Sequence, residues 1–269
     1  MSESNAAKDK LEANRVGKLP SVYLLPDFID EIAEARLLSQ VHSRGRWKQL
    51  SGRRLQEYGG TVHQKHGLLQ APLPSWMRAL TERVASETGL WNGALPNHVL
   101  LNAYPPGSGI MSHQDGPLYD PCVCILSLGC PATMHFKRKQ PLHQQQQQQP
   151  GPGSGFVSSP DQTLRSRQHS PESSCQPVQA AETGAESATH INPALSVLLM
   201  PRSLLIFRHS AYEECLHGID EVVQDHFSHQ EDDLTLYGLQ APCSLHRKSE
   251  RVSLTIRRVP RVRRGLLRL

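Results

Sequence analysis

Three things are scarce in this chain, and each scarcity removes a class of protein. Its six cysteines, Cys122, Cys124, Cys130, Cys175, Cys215 and Cys243, include no Cys-x-x-Cys pair. That argues against a disulfide frame or a thiolate zinc site. No apolar run approaches the length of a membrane span, and the N-terminus, Met1-Ser-Glu-Ser-Asn, is polar, which predicts a soluble protein of cytoplasm and nucleus with reduced thiols. Neither sign of charge dominates: 29 basic residues against 25 acidic ones leave a net charge of +4. The chain as a whole is not a polycation, so any contact with nucleic acid has to be local.

What is present is a donor set for a transition metal. His113 and Asp115 stand two apart in Gly-Ile-Met-Ser-His-Gln-Asp-Gly, and His217 follows far downstream in Leu-His-Gly-Ile. On a strand, residues i and i+2 share one face, so this imidazole and carboxylate point into one pocket. Two histidines and one carboxylate on one side of an octahedral ion leave the opposite positions open, the arrangement of non-haem Fe(II) oxygenases. A His-x-Asp pair alone is common by chance, so its neighbourhood decides. The other histidines, such as the pairs His63/His66 and His226/His229, lie in polar sequence without a strand partner and are expected to bind no metal.

Two flanking segments add polar groups of the kind a carboxylate ligand needs. His98-Val-Leu-Leu-Asn-Ala-Tyr104 reads as a strand, with Asn102 and Tyr104 on one face, followed by the turn Pro105-Pro106-Gly107-Ser108-Gly109. In Arg251-Val-Ser-Leu-Thr-Ile-Arg257, polar Arg251, Ser253, Thr255 and Arg257 alternate with apolar Val252, Leu254 and Ile256. That pattern is either a half-solvated strand or, if the polar face lines a barrel, a pair of guanidinium forks flanking a dicarboxylate.

Taken in order, Asn102-x-Tyr104, Pro-x-Gly-x-Gly-Ile, His113-x-Asp115, Ser127-Leu-Gly, His217-Gly-Ile and Arg251-x-Ser-x-Thr-x-Arg257 resemble the AlkB-type 2-oxoglutarate dioxygenases. The stretches from Gln49 to Gly60, Asp115 to Pro121 and Arg251 to Val262 are most similar to one branch of that family. The resemblance implies a mainly β (α+β) fold, a double-stranded β-helix or jelly-roll barrel with bracing N-terminal helices. It implies Fe(II) on His113, Asp115 and His217, and 2-oxoglutarate held by Asn102, Tyr104, Arg251, Ser253 and Arg257, with dioxygen as cosubstrate. The substrate it implies is N-alkylated DNA or RNA. A protein side chain, or a silent module that binds without turnover, remains open. Two positions depart from the family pattern: Ser253, where asparagine is common, and Arg208-His209-Ser210, where a glycine is more usual.

Along the chain, residues 1–18 read as disordered and 19–269 as one dioxygenase domain, monomeric by default. Ile32, Ala35, Leu38 and Val41 predict one helix, and Trp76, Leu80 and Val84 another. Residues 46–70, with Trp47, Arg53, Arg54, Tyr58, Lys65 and His66, read either as a substrate lid or as a solvated hairpin. Short strands are expected at 122–128, 132–137, 196–200 and 203–208, the last two joined as a hairpin by Pro201-Arg202-Ser203. Cys122 and Cys124 read as core residues. Residues 141–190, with the run Gln144 to Gln149, read as a flexible insertion. It explains why Asp115 and His217 stand about a hundred residues apart. The arginine-rich C-terminus is expected to be solvated charge, with phosphate contact as the lesser alternative.

Overall fold

The computed structural model describes residues 3–44, 47–139 and 193–264. Its strands in chain order are β1 (Val22–Leu25), β2 (Lys48–Leu50), β3 (Arg53–Tyr58), β4 (Gly60–His63), β5 (Gly67–Gln70), β6 (His98–Tyr104), β7 (Ile110–His113) and β8 (Cys122–Leu128). There follow β9 (Ala132–Arg138), β10 (Leu195–Leu199), β11 (Leu204–Arg208), β12 (Cys215–Ile219), β13 (Gln224–Phe227), β14 (Cys243–His246), β15 (Arg251–Arg257) and β16 (Val262–Arg264). Three longer helices, α1 (Glu3–Glu12), α2 (Glu31–Arg44) and α3 (Ser75–Thr88), two single turns, α4 (Ser210–Glu213) and α5 (Asp232–Leu236), and a 3-10 turn at Leu90–Gly93 complete the elements of the described residues. No helix among them is long and apolar enough to cross a membrane.

The chemistry of the strands sorts them into two principal sheets. Seven form the larger, in the order β1-β11-β8-β15-β6-β3-β2, and four the smaller, β10-β9-β12-β7. The alternation in β15 is resolved by its two faces. Val252, Leu254 and Ile256 join Val99, Leu101, Cys124 and Leu126 in a core covered by Val41 of α2 and Met77, Leu80 and Val84 of α3. On the opposite face, Val123, Ile125, Leu205 and Phe207 pack against Ala132, Met134, Phe136, Val197 and Leu199 of the smaller sheet. Each fully buried side chain of this size contributes roughly 1.5–3 kcal/mol, so both faces of the larger sheet are held. The protein is mainly β with few helices, and the helices brace one face as expected.

The four expected strands lie within one residue of those observed, but the expected hairpin between 196–200 and 203–208 is not formed. β10 pairs with β9 in the smaller sheet and β11 with β1 and β8 in the larger. The link crosses between sheets because Arg202 takes a left-handed conformation (φ 69°), its N–H donates to Ser127 O, and the Ser203 hydroxyl donates to Met200 O. The N-terminus also differs from expectation. Residues 3–12 are helical, and the helix is anchored by buried Leu11 and by the Tyr23 hydroxyl donating to Glu12. In α2 the packed face is Ala33, Leu37, Leu38 and Val41, and Ile32 is 65 % exposed. The insertion expected at 141–190 lies outside the described residues.

Candidate metal centre

β7 and β12 run antiparallel with His113 opposite His217, and their rings lie 4.4 Å apart between centroids. A bulge follows His217, and Gly218 occupies it. A Cβ there would stand 2.8 Å from Ser112 N and 2.9 Å from Ile110 O. The glycine therefore lets the two strands approach closely enough to bring the imidazoles together. Asp115, just past the end of β7, completes the set: the three donor atoms lie within 4.8 Å of one another. Among the described residues no other three such donors do so, and His63 and His66 merely stack at 4.7 Å.

The electrostatics suit a divalent metal. Burial against Phe207, 4.8 Å away, and Phe136 pulls the His217 pKa down to about 4, so its ring is neutral at physiological pH. His113 Nδ1 lies 2.9 Å from Met111 O, which fixes the tautomer with Nδ1–H donating and leaves the Nε2 lone pair free. Asp115 Oδ1 accepts from Arg257 Nη1, but Oδ2 is buried with no hydrogen-bond partner. Two imidazole nitrogens and an unpartnered carboxylate oxygen form the hard-and-borderline donor set that Fe(II) takes.

A cavity of about 650 Å³ opens from these ligands between the two sheets. Leu100, Asn102 and Tyr104 of β6, Ile125 of β8, and Arg251, Ser253 and Thr255 of β15 form one wall. Ile110, Met111, His113, Met134, His217 and Ile219 form the other. The expected sharing of a face by Asn102 and Tyr104 is therefore found, and the polar face of β15 turns inward. Arg251 is buried; Nη2 donates to Ser127 Oγ at 2.9 Å, Nε has no partner, and the guanidinium stands 5.7 Å from the Tyr104 ring. Burial lowers its pKa to about 10, which still leaves it charged at neutral pH. Among the described residues it has no ion-pair partner, and the carboxylate nearest in effect, Asp225, is already gripped by Arg247.

Arg257 is brought to a different place. It pairs with Asp115 at 2.5 Å, stacks 4.0 Å over the Tyr119 ring, and sits beside His98 in the β6–β15 register. Arg53 lines the cavity and donates through Nε to Asn102 Oδ1 at 3.1 Å, because β3 pairs with β6 and sets Leu55 opposite Asn102. Sequence reasoning put Arg53 only in the lid. It missed Met111, 86 % exposed on the cavity wall, and Glu221, also on that wall. It also missed Arg247, whose buried guanidinium grips Asp225 through two 2.7 Å bonds beside the cavity. Nothing in the spacing of Arg247 and Asp225 signals that they meet.

Comparison with known proteins agrees with this geometry. Residues 36–257 match the family model of the 2OG-Fe(II) oxygenase superfamily. A zebrafish (Danio rerio) protein described as probable RNA/DNA demethylase ALKBH6 is 37% identical over 92% of this chain and 89% of its own length. An Arabidopsis thaliana protein described as an alkylated DNA repair protein ALKBH8 homolog is 33% identical, over 45% of this chain and 37% of its own. The solved structure of OsALKBH1, at 14% identity and a TM-score of 0.50, covers 90% of this chain and all of that one, and supports the fold alone. With its donor set intact, the chain belongs to the AlkB family of 2OG-Fe(II) oxygenases, an enzyme that uses Fe(II) on His113, Asp115 and His217 with 2-oxoglutarate and dioxygen as cosubstrates.

Proposed function

We propose that this enzyme removes N-alkyl groups from nucleic acid by hydroxylating the carbon bound to nitrogen. When bound, Fe(II) would let dioxygen oxidise both partners: one oxygen atom would end in succinate as 2-oxoglutarate loses CO2, and the other would be inserted into a substrate C–H bond. The observation that carries the reading is the buried Arg251 guanidinium, with Nε unpartnered and no ion pair among the described residues, on the same cavity as the two imidazoles. A diacid in this cavity would pair with the cation at one end and leave its other end toward the metal ligands.

The chain's own residues divide the work. Arg251 and Ser253 receive the far carboxylate, and Asn102 and Tyr104 offer further donors along the same wall. Arg257 keeps Asp115 oriented with one oxygen tied, and Met111 O holds the His113 ring. Phe136 and Phe207 close the floor beneath His217 and keep water from it. Arg53 and Met111, which both line the cavity, would meet a flipped nucleotide, the guanidinium suited to its phosphate and the thioether to the face of its base. The hydroxylated N-methyl group then loses formaldehyde.

The zebrafish relative described as a probable RNA/DNA demethylase points the same way. Purified protein with Fe(II), 2-oxoglutarate and an N-methylated oligonucleotide should release succinate and formaldehyde in equal amounts. His113→Ala and Asp115→Ala should abolish both. A second reading, hydroxylation of a protein side chain, draws on the exposed Met111 and the carboxylate of Glu221 lining the cavity. Formaldehyde from methylated peptides and none from oligonucleotides would establish it instead.

A further inference from the structure

We infer that Tyr212 is a positioning residue for Asp115, holding that metal-binding carboxylate in place through the backbone of the next residue. The inference concerns the metal centre and is independent of which substrate the enzyme takes.

Of the three metal ligands, Asp115 is the one that no strand fixes. His113 ends β7 and His217 lies within β12, opposite each other in one ladder. Asp115 stands two residues past β7, in a stretch without helix or strand that continues to Pro121. Arg257 ties one oxygen of its carboxylate, but a bond at the tip of a side chain leaves the main chain beneath it free to drift. The main chain is held by α4. Gln114 Nε2 donates to Tyr212 O at 3.3 Å and to Glu213 O at 3.4 Å, and the Tyr212 hydroxyl donates to Gly116 O at 3.0 Å. Both chain neighbours of Asp115 are therefore tethered to adjacent residues of one turn.

The turn can serve as an anchor because it is itself fixed. His209, with φ 48°, swings the chain into it; its N–H donates to Pro121 O at 3.0 Å, and its carbonyl accepts from Tyr212 N and Glu213 N. The Tyr212 ring is buried and stacks on Phe207 with 6.4 Å between centroids, and Phe207 packs against His217 at 4.8 Å. β12 begins two residues after α4 ends, so the segment from His209 to His217 supplies one ligand and anchors another. A single side chain thus spans the two halves of the triad, its ring on the support of His217 and its hydroxyl on the segment of Asp115. Burial first, and the Asp115 carboxylate second, hold the phenol pKa above its ordinary value, so the hydroxyl stays a donor. Metal–ligand distances tolerate only about 0.2 Å of error. A loop that drifts further than that loses affinity with its carboxylate chemically intact.

The test is calorimetric titration of the metal-free protein with Co(II), with His217→Ala giving the background from surface histidines. Tyr212→Phe keeps the ring on Phe207 and removes only the hydroxyl. It should weaken binding about tenfold, the lower end of the usual loss for a partner of a metal ligand. The thermal midpoint of the metal-free chain should fall by no more than about 2–4 °C, the scale of one hydrogen bond. Gln114→Ala cuts the other tether without touching the buried ring, and should weaken binding by a smaller factor. In an Asp115→Ala background neither change should cause further loss, because the carboxylate they hold is gone; a double-mutant cycle reads this coupling, which a general contribution to the fold would not produce. Wild-type affinity in Tyr212→Phe would overturn the inference. Losses of equal size with and without Asp115 would overturn it too, by assigning the effect to the fold or to His217.

Discussion

Arg257 Nη1 and Asp115 Oδ1 lie 2.5 Å apart, while the second oxygen of Asp115 is buried and unpartnered. One ion pair thus turns a carboxylate so that a single oxygen is left for a metal. Arg257→Met should lower the affinity for Fe(II), or for Mn(II) as a stable substitute, roughly 10–100-fold, the usual scale for a lost partner of a metal ligand. Arg257→Lys should recover only part, because an ammonium lacks the planar fork and the stacking on Tyr119. Calorimetric titration reads both, and wild-type affinity in the methionine variant would refute the role.

Arg251 makes an opposite prediction for the empty and the loaded enzyme. A buried cation without a counter-ion is a cost to the ligand-free fold, so Arg251→Met should leave its thermal midpoint unchanged or raised. The same change removes charge-assisted hydrogen bonds worth about 1.5–3 kcal/mol, so KM for 2-oxoglutarate should rise roughly 10–100-fold. The thermal shift that 2-oxoglutarate gives the wild type should vanish. A variant that is still stabilised by 2-oxoglutarate would show that the far carboxylate binds elsewhere.

Gly218→Ala tests whether strand approach sets the metal site. Its Cβ would meet backbone atoms of β7 at 2.8–2.9 Å, and backbone cannot step aside as a side chain can. We expect a loss of about 1–3 kcal/mol in stability together with weakened metal binding, as His217 is pushed from His113. Ile219→Val, next along the strand, should cost about 0.5–1.5 kcal/mol and leave metal affinity alone.

His98 and Glu57 give a pH signature. Burial lowers the His98 pKa below 6.5 even though Glu57 opposes this, while the hydrogen bond from His98 lowers that of Glu57. Burial prevails at His98 because the ring is enclosed, whereas the Glu57 side chain is 36 % exposed. The pair is a neutral ring donating to a carboxylate. Unfolded chain takes up a proton at His98 first, so stability is complete above pH 6.5 and falls as pH drops below it; Glu57 adds a further loss below about 4.5. Urea midpoints between pH 8 and 5 should decline less in His98→Gln than in the wild type, and parallel curves would refute the assignment.

The metal ligands were legible because strand alternation and donor chemistry point to one answer: His113 and Asp115 are two apart, and His217 lies in a short apolar strand. The β15 alternation was legible as a pattern but not as an orientation, since only packing of Val252, Leu254 and Ile256 under α2 and α3 decides that its polar face turns inward. Other features depend on partners distant in sequence. Helix α1 is anchored by contacts of Leu11 and Glu12 that its composition does not announce. Arg257 resembles Arg251 in the motif, yet its place at the end of β15 delivers it to Asp115. The crossing at Arg202 turns on one left-handed residue that looked like an ordinary turn. His209 is similar: it carries φ 48° and ψ −123°, a conformation that favours the glycine more usual there.

β10 is the outermost member of its sheet and lies directly against β9, with Leu195 facing Phe136. The polypeptide therefore departs and returns at touching points on the rim, while the other flank of β9 clasps β12 and fixes the imidazole of His217. Closing a loop across such a gap grows costlier by only about 0.6 kcal/mol for each doubling of its length. The rim is consequently a splice port. Replacing the residues between Lys139 and Pro193 by a tight turn should therefore leave metal affinity unchanged, and a loss would show that more than the β9–β10 pairing holds the rim.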